Sequence, residues 1–144
     1  MATPVSSATS YASAQDFLNA HDEAAIGDWA VPFNAPRLTT AKILTDTVVS
    51  DCLLAASGRV EAACFRGGRY SPTDLAALTG ASKKFLVRLV CHLAFYELAC
   101  RRIPDPKKVA GYEDAVLLLD ALNKGEMTFG IQEAANAGKM DGKT

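Results

Sequence analysis

Ala81-Ser-Lys-Lys-Phe-Leu-Val-Arg-Leu-Val-Cys-His-Leu-Ala-Phe-Tyr-Glu-Leu-Ala-Cys100 is a run with no proline and no internal glycine. Leu86, Leu89, Val90, Leu93 and Ala94 recur at helical spacing and form one face. Phe85, Phe95, Tyr96 and Leu98 widen that face until little polar surface is left. A helix that is apolar on nearly all sides has to be enclosed by other elements. This segment is therefore expected to be the central helix of the fold, with the remaining chain as its cover.

Working outward, Ser71-Pro72-Thr73-Asp74 is a helix start, with Ser as cap, Pro at the first position and an acid at the third. That helix is short and stops at Gly80. On the other side, Ile103-Pro104-Asp105-Pro106 breaks the chain and restarts it. The last helix is expected from Pro106, with Val109, Tyr112, Val116, Leu119 and Leu122 on one stripe, closing at Asn123-Lys124-Gly125. A long first helix is expected from Thr39 to Cys64, its stripe running through Leu44, Val48, Cys52, Ala55, Val60 and Cys64 and ending at Gly67-Gly68. Short helices are expected at Ser13–Leu18 and Asp22–Ile26, followed by a proline-containing loop pinned to the core by Trp29 and Phe33.

No strand pair or internal repeat is visible, so the class is all-α. The expectation is a small bundle of about three main helices plus short N-terminal helices. Residues 1–12 read as a flexible N-terminal arm, 13–125 as the helical domain, and 126–144 as an extended C-terminal arm.

The 144 residues suit one domain, and 49% apolar with 22% charged residues is ordinary for a globular protein. No segment approaches the roughly 18 apolar residues of a spanning helix, and the N-terminus lacks the basic start and apolar core of a secretory signal. Synthesis and retention in the cytoplasm are expected, unless the protein leaves within an assembly. Net charge is −1 but uneven: residues 59–108 hold ten Lys/Arg against four Asp/Glu. Such asymmetry suits contact with another copy of the chain, or a basic face near nucleic acid.

Catalytic chemistry finds no constellation. Cys52, Cys64, Cys91 and Cys100 have no C-x-x-C spacing and read as core thiols; His21 and His92 add no metal-ligand pattern. His92 lies beside the apolar face and is expected to be packed and hydrogen-bonded. Glu113-Asp114 and Asp22-Glu23 are adjacent in sequence and so do not face each other on a helix. Gly67-Gly68 lacks the Lys-Ser/Thr of a phosphate loop. No enzyme, cofactor or metal is expected.

Two binding readings stand. Residues 74–89 have the cadence of a helix-turn-helix, with small Ala77, a turn at Gly80, and Lys83, Lys84 and Arg88 placed to meet phosphates. A helix-turn-helix DNA-binding regulator is the alternative. Against it, a recognition helix needs an exposed polar face, and Phe85-Leu86-Val87 and Leu89-Val90 read as buried. Arg66 and Arg69 flank Gly67-Gly68 as a mobile basic loop.

The other reading comes from a resemblance. Tyr11-Ala-Ser-Ala-Gln-Asp-Phe-Leu18, Arg69-Tyr70-Ser71-Pro72, Leu89-Val-Cys-His-Leu-Ala-Phe-Tyr-Glu-Leu-Ala-Cys-Arg-Arg102, and Tyr112-Glu-Asp-Ala115 with the Lys124-Gly125 turn resemble the blocks of the Mu-like phage head–tail connector (adaptor, head completion) proteins. The resemblance covers about residues 11–130, and the last two blocks are its most specific part. Residues 28–36 and 73–81 depart from the family pattern. It implies a virion protein, assembled in the host cytoplasm and ending at the head–tail interface. Its subunits would form a homo-oligomeric ring, commonly a dodecamer, under the portal protein. That ring would extend the channel for packaged DNA and carry the tail terminator or stopper, with no membrane involved. On this reading Arg66, Arg69, Lys83, Lys84, Arg101 and Arg102 are candidates for the channel or subunit boundary. Met127, Phe129 and Ile131 are candidates for docking on the portal.

Overall fold

The computed structural model describes residues 10–126, and among these every regular element is helical. The order is α1 (Ala14–Ala20), α2 (Glu23–Trp29), α3 (Thr40–Ile43), α4 (Thr47–Gly67), α5 (Pro72–Ala76), α6 (Gly80–Ala99), a single 3-10 turn (Pro106–Lys108) and α7 (Tyr112–Asn123). The class is all-α. α4, α6 and α7 pack on one another as the bundle, α1 lies against α6 and α4, and α2 against α6 and α3.

α6 is the central helix. Leu86, Leu89, Val90, Cys91, Leu93, Ala94, Phe95, Leu98 and Ala99 are all buried, and together they occupy most of its circumference. The caps explain where the elements begin. Ser13 with Asp16, and Ser71 with Asp74, form reciprocal capping boxes, while Asp22 and Asp46 accept from the third backbone N–H of α2 and α4.

Three segments differ from expectation. The long first helix is two helices: Asp46 takes the Val49 N–H on its side chain and so opens a new helix instead of continuing α3. Leu44 falls in that break and is 42% exposed, and Ala55 faces solvent too, so both leave the expected stripe. The last helix starts at Tyr112, not Pro106, because Gly111 adopts a left-handed φ of 84°. A Cβ on Gly111 would lie 2.4 Å from the His92 ring, so only glycine fits both the turn and the contact. Third, the chain is tied down from Ser10, within the stretch expected to be a free arm. The buried Ser57 hydroxyl meets the Ser10 hydroxyl and the Tyr11 N–H, each at 3.1 Å. Tyr11 donates its phenol to Glu61, and burial followed by that bond raises its pKa.

The pairing of α4 and α7 closes at its C-terminal ends, backbone to backbone. A Cβ on Gly67 would fall 1.9 Å from the Leu122 carbonyl oxygen, so a side chain there forces the two helices apart. Gly67→Ala should therefore lower stability by about 1–3 kcal/mol in urea titration, despite alanine's better helix propensity. Gly58→Ala, on the open side of the same helix with nothing within 4 Å of its Cβ, should be neutral or stabilising by up to about 1 kcal/mol. Equal effects at the two sites would refute the close approach.

Candidate functional site

The six basic candidates divide into two groups. Arg69, Arg101 and Arg102 are committed to holding the chain's own backbone. Arg69 Nε donates to the Gly125 carbonyl at 2.7 Å, Arg101 Nε to the Trp29 carbonyl at 3.1 Å, and Arg102 to the Val31 carbonyl. The guanidinium of Arg102 also lies 5.5 Å from the centroid of the Phe33 ring. Phe33 is 78% exposed, so the loop after α2 is pinned by Trp29 and by these two arginines, with Phe33 as a platform outside the core. The segment from Arg66 to Arg69 is likewise fixed by Gly67 and Arg69 against the end of α7, where a mobile loop was expected.

The side chains of Arg66, Lys83 and Lys84 form no salt bridge or hydrogen bond with the described residues. Lys83 and Lys84 sit in the first turns of α6, and Arg88 follows one turn on, also without an ion pair. Together they line an open groove of about 600 Å³ between α1 and α6, with Asp16 and Asn19 on the opposite wall. The groove holds three cations facing one carboxylate. Lys84 and Arg101 are seventeen residues apart along α6, on the order of 25 Å, so the α6 cations and the Arg101–Arg102 pair do not make one patch. Met127, Phe129 and Ile131 lie outside the described residues.

His92 is packed and hydrogen-bonded, through a partner that carries no signal in the sequence. That partner is His21, the residue that ends α1: His92 Nδ1 and His21 Nε2 are 3.2 Å apart. His21 stacks on Phe95, centroids 4.0 Å apart and planes within 12°, and Phe17 and Trp29 flank the same ring. A bond between two imidazoles needs one nitrogen bearing a proton and one bare, so at least one ring is neutral. Burial, then the His92 charge, lower the His21 pKa to about 4. Burial and Arg88 lower that of His92, against Asp114, which raises it.

The cysteines are divided. Cys52, Cys64 and Cys91 are buried, whereas Cys100 is exposed just past the end of α6 and is no core thiol. Burial pushes the Cys52 thiol to about 11 and that of Cys91 to about 12, which removes both as nucleophiles at neutral pH. Among the described residues no three His, Cys, Asp or Glu side chains gather as a metal site, and no helix is long and apolar enough to cross a membrane.

A family model described as Bacteriophage Mu, Gp36 matches residues 11–144. No curated protein and no solved structure matches the chain.

The histidine pair generates a pH dependence. An unfolded histidine titrates near 6.5, and folded His21 near 4, so between these values the unfolded chain binds the extra proton. Stability is complete above about pH 6.5 and is lost as pH falls towards 4. Discounting for partial exposure, about 1 kcal/mol should be gone at pH 5, a fall in Tm of roughly 2–4 °C relative to pH 7. His21→Phe, which keeps the stacking and removes the proton site, should flatten this part of the profile in calorimetry. An unchanged slope would mean that other groups carry it.

Proposed function

This chain belongs to the Bacteriophage Mu Gp36 family, and from that membership we propose that it is a virion structural protein, a subunit of the head–tail connector. In this reading copies of the chain form a ring, a dodecamer, beneath the portal protein. The ring extends the DNA channel and gives the tail terminator or stopper protein its platform. Subunits are made in the host cytoplasm and end at the head–tail interface. The chain's work is assembly, and the reading asks no catalysis, cofactor or metal of it.

The observation that carries the proposal is the family match over residues 11–144. The distribution of charge supports it. Three arginines hold the fold, and Lys83, Lys84 and Arg88 leave one concentrated positive edge without intramolecular partners. Such an edge attracts phosphate backbones without reading sequence, which suits DNA passing through a channel. The C-terminal arm, residues 126–144, is the part proposed to dock on the portal or an adjacent subunit.

The alternative, a helix-turn-helix regulator, has less support. α5 is only five residues long, and Leu86, Leu89 and Val90 are buried within two turns of Lys84. Only the very start of α6 would be free to enter a major groove, whereas recognition helices present several exposed side chains to base edges.

Electron microscopy of particles from a phage with this gene disrupted tests the proposal. Filled or leaking heads beside separate, finished tails are the expected outcome. Normal infectious virions would sink the connector reading, and salt-sensitive, sequence-preferring duplex binding by the isolated chain would then favour the regulator.

A further inference from the structure

Lys84, Arg88 and His92 follow one another at four-residue intervals on α6. That spacing puts their side chains in one stripe, about 6 Å apart along the axis. All three line the groove between α1 and α6, with Lys83 beside the stripe and Asp16 and Asn19 opposite. An interval of one helical turn is close to that of successive phosphates along a nucleic-acid strand, so each member of the stripe can meet one phosphate. The opposite wall leaves room for this. Asp16 is drawn to the start of its own helix, where it accepts the Ser13 N–H at 2.9 Å. Gln15 donates to Asn19 Oδ1 at 3.1 Å, which leaves the Asn19 amide nitrogen as a further donor.

His92 can serve the stripe in only one protonation state, and its hydrogen bonds decide which. The bond between the His21 ring and the Cys91 backbone favours the charged ring, so the ring donates and the Cys91 carbonyl accepts. His21 Nε2 faces His92, so the nitrogen that donates is Nδ1. Neutral His21 carries a single ring proton, which leaves its Nε2 bare, an acceptor for the His92 Nδ1–H at 3.2 Å. Neutral His92 then has its own proton on Nδ1, and its Nε2 is a bare lone pair. A lone pair repels a phosphate oxygen, whereas a charged N–H binds one.

The other charges around His92 act on the same step. Arg88, one turn before it, disfavours its protonation, and Asp114 of α7 favours it. Asp16 stands across the groove, and Lys108 of the 3-10 turn is paired with Asp105. A phosphate between Arg88 and His92 offsets the arginine and adds a charge of the sign that holds the proton.

We infer that the stripe Lys84, Arg88 and His92 binds successive phosphates of a nucleic-acid strand, and that binding draws a proton from solvent onto His92 Nε2. Lysine and arginine supply the affinity present at neutral pH, and histidine adds a third contact as pH falls. The inference deepens the connector reading and rests on it for the strand that lies against this edge.

The test uses the full-length protein with 13C-labelled histidines, of which there are two, so that His21→Phe assigns both resonances. The probe is a duplex of about 12 base pairs at about 20 mM salt, with inorganic phosphate titrated in parallel. The duplex should raise the His92 midpoint, and should bind at least about threefold more tightly at about pH 5.5 than at about pH 7.5. His21, near 4, stays neutral across that range. His92→Gln should abolish the pH dependence while leaving affinity at neutral pH within about twofold, and Lys84→Gln should lower the log–log salt slope by about one. If His92→Gln fails to fold, the midpoint in the unmutated protein still decides. An unmoved midpoint, equal affinity at the two pH values, an unchanged slope in Lys84→Gln, an equal response to inorganic phosphate, or no binding at about 1 mM duplex would each overturn the inference. So would a His92 resonance that moves with protein concentration in the absence of duplex, which would give the groove to an acidic surface of another copy. The gene-disruption phenotype is read separately. A lesion at the head–tail joint with an unmoved midpoint keeps the connector and removes this site; normal virions with a raised midpoint do the reverse.

Discussion

The structure depends on the need to enclose α6. A cylinder that is buried around most of its circumference cannot be covered by one partner, so α1 and α2, α4 and α7 each take a sector of it. Small residues mark where the covers come closest: Cys91, Ala94 and Ala99 are fully buried. The cations respect the same boundary. Lys83 and Lys84 precede the buried stretch, Arg88 stays on its exposed side, and Arg101 and Arg102 follow it, because a charge turned inward would lose its water without a partner.

The two ends of α6 then acquire different characters. At its C-terminal end the arginines find backbone carbonyls in the loop after α2, so their charge serves to fix a segment that has few apolar anchors of its own. At the N-terminal end the lysines meet only Asp16 and Asn19 across an open groove, and their field extends into solvent. A chain of almost no net charge thus keeps a directional one. Arg69 belongs with the first group: it reinforces a glycine-mediated meeting of α4 and α7 in which two backbones touch.

Much of this was legible in the residues. Ser13, Asp22, Ser71 and Pro72 announce their helices because capping is local chemistry, and α6 announces itself because apolar residues hold most of its circumference. The break at residues 44–46 was not legible, since Thr45, Asp46 and Thr47 sit within an acceptable helical period and only the side-chain bond of Asp46 ends α3. Nor was the gap between Pro106 and Tyr112, where a single 3-10 turn and a left-handed Gly111 accommodate the His92 ring. The candidate site was legible as a set of basic residues but not in its division. Whether an arginine faces solvent or a carbonyl some 70 residues away depends on tertiary placement, and no local pattern encodes it. His21 left no sequence signal because a residue that ends a short helix becomes a partner only after the helix has docked.

The protein holds one tryptophan, Trp29, whose ring centre lies 5.0 Å from that of Phe95, the ring on which His21 stacks. The indole and an imidazole thus share contact with one phenyl group. Protonated imidazole quenches indole emission at such range, and departure of α2 from α6 shifts that emission to the red. Fluorescence intensity and colour therefore become two separate optical channels, one following the charge of the histidines and the other the seating of α2, within a chain that needs no added dye.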